Sequence, residues 1–403
     1  MLNNERDFGF SSRRLVAGGR PASLYLDTYF SRRTARDRLT VGWAPTLWYN
    51  DAGGWTVGVR SRQDYLSRFE QNQLWLSVAT GKGRATGDSA RTGIGAALRI
   101  RNPVWLRAAG WSEELRLARL EGRAAAGIEV ARRFRSALSD STIRSLGLSV
   151  DWVSVVDPAW VDPGFYDDAG TAELALVGRL RSNGVRPVVI EARIAGGVAY
   201  PNAGAAVDRT AYGRITALAA VRLPIGSAVT VGFRGYVGAT LGDSLPRQRR
   251  IFLSGADPYE RLDNPFLRSR GALLAGPDIH YHAPGGAGVR GLDPRASSDN
   301  ALGATAELDY APWRHPHGVV LKRIAIGAFT DVAMGDGDLS GARGHLVAVA
   351  DAGVGLRLDQ RLGQTSYQMR LDLPLWVSRP ALAQDDAGGA LGFRWSVSLT
   401  PSF

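Results

Sequence analysis

Apolar and polar residues change places at every second position through most of this chain. Only a strand sorts such a pattern onto two opposite faces. The period is clearest at the carboxyl end, where Leu391, Phe393, Trp395, Val397, Leu399, Pro401 and Phe403 fall on one side and Arg394, Ser396, Ser398 and Thr400 on the other. A sheet over a soluble core gives this pattern with its apolar side turned inward. A membrane barrel gives it with the apolar side against lipid and the polar side against an aqueous lumen.

The extent of the alternation favours the barrel. It runs through 37–50, 54–67, 70–80, 90–101, 105–118, 119–133, 142–155, 170–184, 186–200, 208–222 and 227–240, and again through 302–312, 318–331, 345–358, 365–378 and 390–403. These segments predict sixteen strands, eleven before and five after a long interruption at 241–301 that is rich in Gly, Pro, Asp and Arg. A hairpin turn is expected at the "DAGG" stretch between the first two. Strands of ten or more residues in even number suit a membrane barrel, whereas soluble strands usually run to about five or six. Leu346, Ala348, Ala350, Ala352, Val354, Leu356 and Leu358 share one face, opposed by Asp351, Gly353, Gly355, Arg357 and Asp359; Tyr367, Met369, Leu371 and Leu373 oppose Gln368, Arg370 and Asp372. The expected fold is an all-β transmembrane antiparallel barrel over 37–403. Residues 1–36 are expected to be a linker or periplasmic extension, and the long connection is expected to fold into the lumen.

Composition narrows the function classes. No stretch approaches 18 uninterrupted apolar residues, so helical membrane spans are not expected. The amino end "MLNNERDFGF" carries no apolar h-region, which reads as a mature form or a piece of a longer protein. The formal charge of +11 is almost all arginine, interleaved with apolar residues inside strands instead of clustered, so a lumen wall explains it better than nucleic acid does. There is no cysteine for disulfides or a thiolate metal site. Trp43, Trp48, Tyr49, Trp55, Trp75, Trp152, Trp313, Trp376 and Trp395 are expected to form interfacial belts. The pairs His280/His282 and His315/His317 lack a third ligand, and "GDGDLSG" lacks the closing Glu of a calcium loop. No G-x-S-x-G, H-E-x-x-H or P-loop is present. We therefore expect no catalytic residue, metal or cofactor.

The long interruption contains "GVRGLDP", residues 288–294. Arg290 offers a forked cation on a tight turn, where Gly291 lets the backbone approach a wall. Glu307 lies on the polar face of the following strand with Gly303, Thr305 and Asp309, and Asp331 lies near the end of the strand after that. A bidentate contact to these carboxylates would hold the loop in the lumen; a solvated surface turn is the alternative.

Val289, Arg290, Gly291 and Leu292, placed between strands eleven and twelve of sixteen, resemble the VRGF/Y motif of the bacterial surface antigen family of BamA-type and TpsB-type barrels. "ALGATAELDYAP" (301–312), "GAFTDVAMG" (327–335, similar to an F-x-D-x-G strand) and "DAGVGLRL" (351–358, similar to G-x-G-L-R) follow in the family's order. The likeness covers roughly 285–403. Leu292 stands where an aromatic is expected, Ala333 where a glycine is, and residues 1–36 are not expected to form the family's POTRA repeats. The resemblance implies that Arg290 is the loop arginine, Asp331 its principal strand partner and Glu307 a second. It also implies that Trp395, Leu399 and Phe403 form a carboxyl-terminal signal read by the barrel-assembly machinery. The implied location is the Gram-negative outer membrane, among lipid and lipopolysaccharide, with a role in inserting or translocating polypeptide clients. Two alternatives remain open: an anchor or export pore for a fused soluble domain, since "PTLWYNDAGGWTVGVRSR" resembles the first hairpin of barrels behind patatin-like lipases or gluzincin-type peptidases, and a passive diffusion channel.

Overall fold

The structure, a computed structural model, describes residues 23–26, 39–64, 71–82, 91–103, 110–134, 142–182, 184, 186–202, 209–242, 245–255, 258, 262, 264, 268–271, 285–315, 320–337, 342–362, 365–384 and 389–401. A short strand, β1 (Ser23–Leu26), comes first. Eleven long strands follow: β2 (Thr40–Asn50), β3 (Gly54–Asp64), β4 (Gln73–Thr80), β5 (Thr92–Arg101), β6 (Trp111–Leu120), β7 (Arg123–Phe134), β8 (Thr142–Val155), β9 (Ala169–Ser182), β10 (Val188–Pro201), β11 (Thr210–Ile225) and β12 (Val229–Leu241). The long connection carries a two-residue pair, β13 (Ile251–Phe252) with β14 (Ser297–Ser298). Five further strands complete the sheet: β15 (Ala301–Arg314), β16 (Leu321–Gly337), β17 (Ala342–Leu362), β18 (Thr365–Val377) and β19 (Ser396–Pro401).

From β2 to β19 each long strand pairs antiparallel with the next, β12 pairing with β15 across the long connection. β1 instead lies parallel to β2, Ser23–Leu26 against Thr40–Trp43, on the edge that β3 leaves free. Among the described residues no helix is long and apolar enough to cross a membrane.

The register turns the two-residue period into continuous rows. On the outer face Leu148, Leu176, Ile194 and Ile215 stand opposite one another across β8 to β11, and Val237, Leu302 and Met334 across β12, β15 and β16; all are exposed. On the inner face Thr305, Asp331 and Asp351 form one such row, all buried. The sheet is therefore inverted relative to a soluble protein, with its aliphatic side outward and its buried side charged.

The long connection fills the interior at the end where it leaves β12, and its contacts reach strands far apart in the sheet. Arg249 bonds Glu173 of β9 at 3.3 Å and Thr171 at 3.2 Å. Arg268 bonds Glu121, in the β6–β7 turn, at 3.3 Å and lies over the rings of Trp48 and Trp75. Arg234 of β12 donates to the carbonyls of Gly286 and Ala287. Ile251, Leu253, Ala287, Val289 and Leu292 of the connection pack on Ala301, Ala333 and Val349 of the wall as one buried apolar cluster. A sheet that touches one loop from β2 round to β18 has curled about it into a barrel. Gly286 and Gly288 (φ +50° and +84°) make the turns that bring the segment to the wall.

Several expectations need correction. The β6–β7 turn falls at Glu121–Gly122, not at 118/119. Asp331 lies inside β16, which continues to Gly337, and not near its end. The last ladder starts at Ser396; before it the chain makes only a bridge from Leu391 to Trp376. The physical reason is a bulge in β18 at Pro374, where the register against β17 shifts between Ala352/Trp376 and Val354/Leu373 and no proline N–H is available. Trp48 and Trp75 face inward, while Trp43, Trp111 and Trp313 are exposed at one end of the barrel and Trp55, Trp152 and Trp376 at the other.

The loop passes so close to β15 that a Cβ on Gly303 would lie 2.7 Å from the Ala287 carbonyl oxygen. Gly303→Val is expected to weaken loop seating by about 1–3 kcal/mol and to expose Arg290 to trypsin in the folded, detergent-solubilised protein. Cleavage as slow as in the parent would contradict this seating.

Candidate functional site

The apolar phase of β15 to β18 faces out, so the polar phase delivers its charges to one patch of inner wall. Glu307 and Asp309 come from β15, Asp331 from β16, Asp351 and Arg357 from β17, and Arg370 and Asp372 from β18. Glycines on the same face make the space they need. A Cβ on Gly327 would lie 2.4 Å from an Asp309 oxygen, one on Gly355 2.5 Å from Asp372, and one on Gly353 2.8 Å from the Phe329 ring.

Into this patch the loop inserts Arg290. Its Nε lies 3.2 Å from Asp331 Oδ2, its Nη1 3.3 Å from Asp372 Oδ1, and its Nη2 donates to Glu307 Oε1. The guanidinium also sits 3.9 Å above the centre of the Phe329 ring. The main chain of the turn is fixed as well. Arg290 N donates to Asp331 Oδ2 at 3.4 Å, Gly291 N donates to Asp351, and Gln384 donates from its side chain to the Arg290 carbonyl at 2.8 Å. Glu307 is shared further with Arg370 at 2.7 Å and Arg357 at 3.1 Å, and Arg357 also pairs with Asp309. Three arginines thus hold four carboxylates in a largely buried patch, with Asp351 beside them on the Gly291 amide. A planar fork with five donors can serve three acceptors at once, which an ammonium group cannot do in one plane.

The strand segment Phe329–Asp331–Ala333 is read along its inward positions by the loop. Phe329 lies under the guanidinium, Asp331 binds it, and Ala333 packs in the same buried cluster as Leu292. Leu292 and Ala333 therefore belong to one apolar volume. Leu292 is also bridged to Ala383, from the segment between β18 and β19.

The structure brings Val289, Arg290, Gly291 and Leu292 together with Glu307 and Asp331. Asp372 and Asp351 are partners that sequence reasoning did not attach to the loop, although their alternation marks them as inward-facing. Trp395 is half-buried just before β19, the backbone of Leu399 pairs with Met369, and Phe403 lies outside the described residues. His280, His282 and His317 also lie outside them, and His315 stacks on Trp313. Asp336 of "GDGDLSG" accepts from Ser298 and Asn300, closing the loop's return to β15. Among the described residues no group of three metal-ligating side chains converges.

Fold and site together define a β-barrel with an internal loop held by arginine. No family model matches the chain, and no curated protein matches it. Among solved structures it is similar to CdiB from Escherichia coli (14% identity, TM-score 0.48, 90% of this chain and 62% of that one). It is also similar to BamA from Haemophilus ducreyi lacking POTRA domains 1–3 (15%, 0.44, 90% and 70%) and to CdiB from Acinetobacter baumannii (11%, 0.45, 87% and 57%). The chain thus spans less than two thirds of either CdiB.

Arg290→Ala would leave Glu307, Asp331 and Asp372 facing one another with their shared cation gone. The expected loss is about 3–5 kcal/mol. The folded, fast-migrating form on unheated gels should then convert to the unfolded form at a clearly lower temperature than in the parent, with Arg290→Lys in between. Equal conversion temperatures for all three proteins would show that the cluster carries no stability.

Proposed function

We propose that this chain is an outer-membrane barrel of Gram-negative type that acts in the insertion or translocation of polypeptides. The observation that carries the reading is Arg290, brought by a long internal loop onto Glu307, Asp331 and Asp372 of three different strands. The motifs that resemble the surface antigen family are the ones that meet at this point.

The membrane part of the reading rests on the outer face. Rows of exposed Leu, Ile, Val and Met across neighbouring strands would be an aggregation surface in water and are satisfied in lipid. The exposed tryptophans at both barrel ends suit the two interfaces.

The polypeptide part rests on the edges. Among the described residues β19 pairs with β18 at six positions, and the other edge, on β2, is paired with the four residues of β1. A strand edge covered so briefly offers main-chain donors and acceptors to an incoming strand, the basis of recognition by β-augmentation. A free diffusion pathway fits less well, because the loop crosses the lumen and is anchored on opposite walls.

The test is to follow the folding of a small unfolded outer-membrane barrel into liposomes. Liposomes holding this protein should speed the appearance of the heat-modifiable client several-fold over empty liposomes, and Arg290→Ala should lose that gain. Rates equal to empty liposomes would exclude the insertion reading.

A further inference from the structure

Beneath the loop lies a second charged region that the Arg290 cluster does not include. A cavity of about 660 Å³ is bounded by the inner faces of strands between β4 and β12 and closed above by Arg249, Arg250, Ile251 and Phe252 of the loop. It extends to Gln73, Arg99, Arg179 and Glu191, near the strand ends opposite the long loop. Among the described residues eight arginines line it against three carboxylates, Glu129, Asp151 and Glu191.

The lining carboxylates are already engaged. Asp151 lies between Arg116 at 2.8 Å and Arg193 at 3.0 Å, and Arg179 pairs with Glu129 and Glu191. Glu173, buried on the inner face of β9, takes Arg193, Arg214 and Arg249, while Glu114 pairs with Arg99 and Arg116, and Asp299 with Arg250. Eight arginines against the six carboxylates that pair with them leave arginine in excess in a confined space between low-dielectric walls, which focus a positive field. The guanidinium groups come from β5, β6, β9, β10, β11, β12 and the loop, so one ligand with several acidic groups can bridge elements that a single chloride cannot.

We propose that this chamber is a binding site for a small, soluble, multivalent oxyanion of the polyphosphate class, entering from the barrel end opposite the long loop. The strands separate the chamber from lipid, so the ligand is a free molecule and not a lipid headgroup. Arg249 and Arg250 belong to the loop, so an occupied chamber also holds the loop in place. The assignment does not depend on a polypeptide client.

The test is calorimetric titration of inorganic tripolyphosphate into the folded barrel in a neutral detergent. We expect saturable binding of one ion per barrel that weakens steeply as sodium chloride is added. Arg116→Gln and Arg179→Gln should each lower affinity about tenfold. Ala118→Glu, which removes no ion pair and places a negative charge in the chamber, should lower it at least as much. Arg295→Gln, on an exposed pair with Asp162 away from the chamber, should leave it unchanged. Absence of binding, several ions per barrel, or affinity indifferent to Ala118→Glu would overturn the proposal, and so would tighter binding of hexaglutamate than of tripolyphosphate.

Discussion

One guanidinium organises the inside of this barrel. Arg290 is attached to the loop, yet its partners belong to β15, β16 and β18, so a single side chain joins a connection to three strands of the wall. Charges this buried are tolerated only when counter-charges lie within reach. The arrangement therefore constrains the neighbourhood as well. Gly327, Gly353 and Gly355 must stay small, Phe329 must lie flat under the cation, and the loop must turn at Gly288.

The same logic recurs at other points where the loop meets the wall. Arg249 on Glu173 and Arg268 on Glu121 repeat the pattern of a loop arginine on a wall or turn carboxylate, and Arg234 reverses it, reaching from the wall to loop carbonyls. The apolar cluster around Leu253, Val289 and Leu292 supplies the hydrophobic part of the docking. The barrel thus has its core where a soluble sheet protein would have none, in the lumen beneath a loop, while its aliphatic rows face outward. The abundance of arginine follows from this division: the fork that holds the loop at one end also lines the chamber at the other.

Much of the architecture is legible in the sequence because a period of two is a local property. Strand β8 falls at 142–155 as the alternation predicts, and the inward phase of β17 and β18 is marked by Asp351, Arg357, Arg370 and Asp372. Glu307 and Asp331 are recognisable as inward carboxylates in the same way. That Asp372 meets Arg290 is not legible, because it depends on how three strands and a loop close around one point in space. The orientation of Trp48 and Trp75 was available in principle: each occupies the polar phase of its strand, opposite to Leu47 and to Leu74 and Leu76. The shortened last strand was less accessible, since it follows from a proline bulge on its neighbour.

The account stands on the loop lying in the lumen and being held there by Arg290. The most direct measurement is planar-bilayer conductance of the refolded parent beside Arg290→Ala. A parent of low, quiet conductance and a variant with larger, fluctuating currents is the predicted result. Large steady currents from the parent, unchanged by the substitution, would contradict an arginine-held loop in the lumen.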